Sequence, residues 1–255
     1  MSESSGPEQG DPGQDGQESA VAQIQRWHVY DDADQLVRHA LRAVQRAAEE
    51  ATLRCDCFDL VLAGGTTPRA LYERLAADGA GDERWRVWFG DERCLEAGHP
   101  DRNETMARAA WLDRSGIPAD RIHGIPAGPD PAVAAHGYGR LLAGVGTFDL
   151  VLLGIGDDGH TASLFPGQDP GAGPAAPDAL AVRGAPKPPP ERVSLSAHRL
   201  GQARQVIILV TGGGKADAVA GWRRGDDLPV AQVRPPNGVD IFVDRAALPA
   251  GAGGD

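Results

Sequence analysis

The sequence predicts an α/β fold, a mainly parallel β-sheet with helices on both faces. Three observations point there. From about residue 26 onward, short apolar runs alternate with stretches of helical periodicity, the pattern of strand–helix–strand units. The runs at 58–63, 149–153, 206–210 and 239–243 are nearly continuous in apolar residues, as strands buried on both faces must be. Glycines and polar residues follow several of these runs, where a strand would turn into a helix.

The first unit pairs a strand at 27–30 with a helix whose apolar residues Leu36, Val37, Ala40, Leu41, Val44 and Ala48 recur at helical spacing. The second is a strand at 58–63, a Gly64-Gly65 turn, and a helix opened by the Thr67 hydroxyl as cap and Pro68 at its first position, with Leu71 and Leu75 on one face. A third strand at 85–89 leads into Gly90-Asp91-Glu92-Arg93, and a helix follows near 103–112. Another helix is expected at 131–143, and further strands at 149–153, 193–195, 206–210 and 239–243. Between Pro166 and Pro190, eight prolines exclude regular helix or central strand, so the stretch reads as one long loop. Loops of that length in compact domains are usually functional covers or mobile segments.

A length of 255 residues suits one α/β domain, placed at 21–249. Residues 1–20, rich in Gly, Gln, Glu and Asp, cannot bury enough apolar area to offset their ordering entropy and read as a disordered acidic tail; 250–255 read as a flexible C-terminus. Hydrophobic residues at 41% and charged residues at 24% exclude global disorder for the remainder. No apolar run approaches the ~20 residues that span a bilayer, and the N-terminus lacks a signal pattern, so a cytoplasmic protein without membrane contact is expected.

The formal charge of −11 repels nucleic acid. Against that acidic background, Arg93, Arg192 and Lys215 stand out as cations gathered for an anionic substrate. The three cysteines, Cys55, Cys57 and Cys94, are too few for a disulfide framework or a four-ligand zinc site and read as buried free thiols.

Ligands of open parallel sheets bind beyond the carboxyl ends of the strands, and four such ends carry polar chemistry here. At Gly64-Gly65-Thr66-Thr67-Pro68, backbone N–H groups, a helix dipole and two hydroxyls can meet an anion. Asp91-Glu92-Arg93 sets two carboxylates beside a guanidinium that can clamp a substrate oxygen or make a surface ion pair. In Gly154-Ile155-Gly156-Asp157-Asp158-Gly159-His160, a histidine suited to proton transfer sits beside Asp158, which can orient it. At Thr211-Gly212-Gly213-Gly214-Lys215, glycines permit close backbone approach, and the lysine opening a helix suits a phosphate.

Two look-alikes are rejected. Gly154-x-Gly156-x-x-Gly159 matches the dinucleotide fingerprint, but Pro166 follows too soon for the required helix. Gly-Gly-Gly-Lys has the wrong glycine spacing for a nucleotide-hydrolase loop, and Ala216 stands where a magnesium-binding hydroxyl is needed. There is no Gly-x-Ser-x-Gly elbow and no His-Glu-x-x-His, so a water nucleophile driven by a general base remains, with neither metal nor cofactor expected.

Taken in order, these strand ends resemble the lactonase branch of the glucosamine-6-phosphate isomerase and 6-phosphogluconolactonase family, over about residues 26–245. The most specific stretches are Phe89-Gly90-Asp91-Glu92-Arg93, His99-Pro100-Asp101-Arg102-Asn103, Gly159-His160-Thr161-Ala162-Ser163-Leu164-Phe165-Pro166 and Pro188-Pro189-Pro190-Glu191-Arg192-Val193. The deaminase branch resembles Asp-Glu-Tyr where this chain has Asp91-Glu92-Arg93, and Phe-Asn-Glu-Pro where it has Ser163-Leu164-Phe165-Pro166.

The resemblance implies a Rossmann-like, doubly wound fold without cofactor. It further implies that Gly64, Gly65, Thr66, Thr67, Arg192 and Lys215 hold a 6-phosphate while Arg93 and His160 sit at a lactone, with Asp158 orienting His160 and Asp157 unassigned. The partner expected is a phosphorylated sugar lactone, with no obligate protein partner. The alternatives are an amino-sugar-phosphate deaminase and a non-catalytic sugar-phosphate sensor; the second would need a DNA-binding helix-turn-helix that neither terminus supplies.

Overall fold

The computed structural model describes residues 22–249, so the expectations for 1–20 and 250–255 lie outside the described residues. Its strands and helices are β1 (Gln25–Tyr30), α1 (Ala33–Cys55), β2 (Phe58–Leu62), α2 (Thr66–Ala77), β3 (Trp85–Phe89), β4 (Asp91–Arg93), α3 (Asn103–Ala110), β5 (Ile122–His123), α4 (Pro131–Leu142), β6 (Phe148–Gly154), β7 (Ala179–Val182), β8 (Arg192–Leu195), α5 (Ala197–Gly201), β9 (Ala203–Val210), α6 (Ala216–Arg224) and β10 (Val239–Asp244).

Seven strands form one sheet in the order β1-β10-β9-β6-β2-β3-β5, with every neighbouring pair parallel. This is the predicted doubly wound α/β class. Every residue of β2 and of β10 is buried, and because successive side chains point to opposite faces, both faces of the sheet are covered. Helix α1 shows how sequence specifies the covering. Asp32 caps it by accepting the Gln35 N–H at 2.7 Å, and Leu36, Val37, Ala40, Ala43, Val44, Ala48 and Ala51 form its buried stripe. Each larger aliphatic side chain buried this way contributes about 1.5–3 kcal/mol.

Beside the main sheet lies a second one, antiparallel, in the order β4-β8-β7. The strand foreseen at 193–195 is present as β8 of this small sheet, and one expectation is corrected: the proline-rich stretch, read as one long loop, contains the edge strand β7 between Pro177 and Pro186. The turn into α2 also differs from expectation. Gly65, at φ +105°, occupies the cap position without a side-chain bond, while the Thr67 hydroxyl pairs with that of Thr211 at 2.6 Å. No helix among the described residues is long and apolar enough to cross a membrane.

Candidate active site

The strand order places the site. From β2 the chain continues to β3 on one side, and from β6 it continues to β9 on the other, although β2 and β6 are neighbours. Their two following loops therefore part and leave a crevice at the carboxyl edge, the topological switch point of such sheets. A cavity of about 370 Å³ lies there, lined by Gly64 and Gly65 from the first loop and Gly156 and His160 from the second. Arg93, Arg192 and Lys215 also line it, so six of the nine residues predicted for the site share one cavity. Asp158 reaches it through His160. The side chains of Thr66 and Thr67 line a neighbouring cavity of about 540 Å³ instead.

The histidine loop is built tightly. The Gly156 N–H donates to the His160 carbonyl at 2.7 Å, and a Cβ on Gly156 would lie 1.9 Å from His160 Nδ1, so only glycine lets the ring fold over this backbone. Asp158 Oδ1 accepts the His160 backbone N–H at 3.1 Å and faces ring Nδ1 at 2.5 Å. Burial raises the Asp158 carboxyl, but the bonds from the His160 ring and backbone outweigh it and hold the group below the usual carboxylate range. An ionised carboxylate only accepts, so in a neutral ring this contact favours the tautomer with the proton on Nδ1. The imidazole also rests against Phe165, at 4.8 Å between ring centroids.

The two arginines are held by backbone carbonyls rather than by acids. Arg192 is buried, and its guanidinium donates to the carbonyls of Lys187 at 2.9 Å, Pro188 at 3.2 Å and Pro189 at 3.1 Å. Burial, opposed by the Asp91 charge and reinforced by that of Arg93, holds Arg192 below the ordinary arginine value. Arg93 donates to the Asp101 carbonyl at 2.5 Å, while its Nε is buried without a partner among the described residues. Of the four cations on the cavity, only Lys187 is in an ion pair among the described residues, with Asp157.

Lys187 is thus a site residue that the sequence reading missed, and it gives Asp157 a partner. Asp91, Asn103 and Ser163, quoted above within their motifs but given no site role, also belong here. Asp91 accepts from Ser163 Oγ at 2.6 Å and from Asn103 Nδ2 at 3.1 Å. The Asn103 amide packs on Gly64, where a Cβ would lie 2.1 Å from Asn103 Oδ1. Glu92 serves the scaffold: its buried carboxylate accepts the N–H groups of Arg93, Asn103 and Glu104 at 2.7–2.8 Å, capping α3. Asp157, Asp158 and His160 bring one possible metal-ligand atom each within 4.8 Å of one another, a grouping that linear spacing did not suggest.

The sequence profile described as glucosamine-6-phosphate isomerases/6-phosphogluconolactonase matches residues 31–242. A protein named 6-phosphogluconolactonase from Nostoc is 38% identical over 206 residues, covering 75% of this chain and 82% of its own. One of the same name from Streptomyces coelicolor is 37% identical over 216 residues, covering 74% and 82%. The crystal structure of 6-phosphogluconolactonase from Thermotoga maritima superposes with a TM-score of 0.79 at 25% identity, covering 87% of this chain and 100% of that one.

Proposed function

The chain belongs to the glucosamine-6-phosphate isomerase and 6-phosphogluconolactonase family, and from that membership we propose that it hydrolyses 6-phospho-D-glucono-1,5-lactone to 6-phospho-D-gluconate. The observation that carries the reading is the pairing of His160 with Asp158 on a cavity ringed by Arg93, Lys187, Arg192 and Lys215. A base and an anion site are what a phosphorylated lactone needs.

In this reading Arg192, Lys215 and Lys187 hold the 6-phosphate, helped by the N–H groups of Gly64, Gly65, Thr66 and Thr67 at the start of α2. Those first N–H groups lack intrahelical partners, and Gly65 offers no capping side chain. The anchored substrate puts C1 near His160. Nε2 accepts a proton from water as the water oxygen bonds to C1, and negative charge develops on the carbonyl oxygen. Arg93, with its unpartnered Nε, and a backbone N–H of the Gly64-Gly65 turn meet that charge. The C1–ring-oxygen bond then breaks, and His160 returns its proton to the departing oxygen, which becomes the C5 hydroxyl. Asp158 holds the imidazole in the required tautomer throughout.

The deciding assay generates the lactone enzymatically from glucose 6-phosphate and follows its disappearance with and without the protein. A marked acceleration over spontaneous hydrolysis is expected, with no ammonia released from glucosamine 6-phosphate. Ammonia release with the lactone left untouched would transfer the chain to the deaminase reading.

A further inference from the structure

Far from the cavity, at the opposite edge of the sheet, α1 ends on Cys55 and β2 begins just after Cys57. Contrary to the expectation of buried thiols, Cys55 is exposed and Cys57 half-buried, and only Cys94 is buried. Asp56 between them is in the left-handed region, at φ 54° and ψ 27°, with its N–H donated to the Thr52 carbonyl at 3.0 Å as the helix cap. That reversal turns the flanking side chains to the same side. Cys55 Sγ and Cys57 Sγ stand 2.9 Å apart, within hydrogen-bond contact.

We propose that Cys55 and Cys57 form a reversible intrachain disulfide by exchange with low-molecular-weight disulfides. Three features fit the two sulfurs to separate roles. A covalent S–S bond is ~2.05 Å, so the pair has under about 1 Å left to close. Cys55 is the sulfur that meets solvent, which makes it the attacking one. Cys57 lies behind it, with the Arg86 guanidinium 3.7 Å from its Sγ, a cation placed to support the thiolate when it forms. In the resting state burial and the hydrogen bond with Cys55 push the Cys57 thiol up to about 11.

The exchange balances in two steps. The Cys55 thiolate attacks one sulfur of a small disulfide, forming a mixed disulfide and releasing one small thiol. Cys57 then gives up its proton, attacks Cys55 Sγ and expels the second small thiol. Two protein thiols are oxidised, and one small disulfide is reduced to two thiols, a two-electron exchange. Cys94 is an internal control, because burial, with the nearby Glu191 charge, pushes its thiol up to about 11 and no second sulfur adjoins it.

The test incubates the full chain with excess oxidised glutathione, blocks residual thiols and measures intact and peptide masses. The expected product has lost two of three free thiols, carries a 55–57 link in a single peptide, and returns to three thiols with a reductant. Cys57→Ser should instead stop at about one glutathione per chain on Cys55, while Cys94→Ser should behave as wild type. The proposal is overturned if wild type ends with stable glutathione adducts or intermolecular dimers, or if Cys55→Ser lets Cys57 react as fast as the intact pair does. The wild-type result stands without reference to any variant's folding, and it is independent of the sugar-phosphate reading.

Discussion

Arg93 and Arg192 stand directly opposite one another across the β4–β8 pairing. Antiparallel register puts their side chains on one face of the small sheet, beside Asp91 and Ser194 two residues on. Like charges opposed in this way are destabilising, and here one of them is also buried. With Asp91 bonded to Ser163 and Asn103, a bound anion is the natural relief. Saturating 6-phosphogluconate should therefore stabilise the protein: at about 100 times its Kd the gain is ~2.7 kcal/mol, or roughly 5–10 °C in Tm. Thermal unfolding with and without the ligand measures it. Arg192→Leu should lose most of the shift, and an unshifted wild type would remove the basis of the anion site.

Lys215 tests the phosphate anchor more gently, since among the described residues no hydrogen bond depends on its ammonium group. A hydrogen bond to a charged group contributes roughly 1.5–3 kcal/mol, so Lys215→Ala should lower kcat/KM about tenfold to a hundredfold, mostly through KM. Lys187→Ala should act in the same direction with a smaller loss, because that ammonium must first leave Asp157. Comparing phosphorylated with unphosphorylated lactone gives the readout. A Lys215→Ala enzyme that discriminates between them as well as wild type does would show the anchor to be elsewhere.

What could be read from sequence follows the physics of each element. Strands β2, β6, β9 and β10 were legible because burial on both faces writes itself as a continuous apolar run. Strand β4 was not, because its three residues are Asp91, Glu92 and Arg93, and only the distant partner β8 makes them a strand. Strand β7 was hidden among prolines for a similar reason. Six of the nine foreseen site residues line one cavity because glycine-rich strand ends carry a local signature. Lys187 has none: it is placed by Arg192, which gathers the carbonyls of Lys187, Pro188 and Pro189. The Thr67 cap on α2 was misjudged, since Gly65 takes the cap position and the partner of Thr67 is Thr211, remote in the chain.

The reaction as proposed needs no metal. Asp157 and Asp158 already have cationic or N–H partners in Lys187 and His160, so the acidic grouping around His160 is engaged without an ion. Exhaustive chelation should leave the hydrolysis rate unchanged. Activity lost on chelation and restored by a single divalent ion would require a different mechanism, built on that grouping.

Acid stability should depend on Asp240, far from the cavity. Burial raises its carboxyl, but hydrogen bonds from Arg26, Gln205 and His28 outweigh this and bring it down to about 2. A carboxyl lowered on folding stabilises the native state fully above its unfolded value of ~3.9, and that contribution fades as pH falls toward 2. With allowance for solvent screening of the half-exposed Arg26 and His28, the contribution is about 1–2 kcal/mol. Asp240→Asn should therefore be less stable than wild type at pH 7 by about that amount, and the gap should narrow below pH ~4. Urea unfolding at several pH values measures both. A gap of the same size at pH 7 and pH 2.5 would assign the loss to packing instead of charge.

His160→Asn is the sharpest test of the proposed chemistry. The substitution keeps a polar side chain of modest size on the Gly156 backbone and leaves the phosphate contacts intact, so the variant should fold and still bind 6-phosphogluconate. Removing a positioned general base typically costs ~10²–10⁴-fold, and the loss should fall on kcat. Asp158→Asn should lower kcat by a lesser amount, about a hundredfold, since it disturbs tautomer and aim but leaves the base in place. The pH profile separates the two carriers of charge. A base must be neutral to accept a proton, so the wild-type rate should fall on acidification, and His160→Asn should lack that limb. Asp158 cannot supply it: with its carboxyl held below the usual range, it loses its charge only at pH values more acidic than those where a histidine protonates. Spontaneous hydrolysis must be subtracted at each pH, because alkaline breakdown of the lactone imitates a base-catalysed rise. A folded His160→Asn protein with near-wild-type kcat would defeat the assignment and turn attention to Asp91, the other carboxylate on the cavity wall.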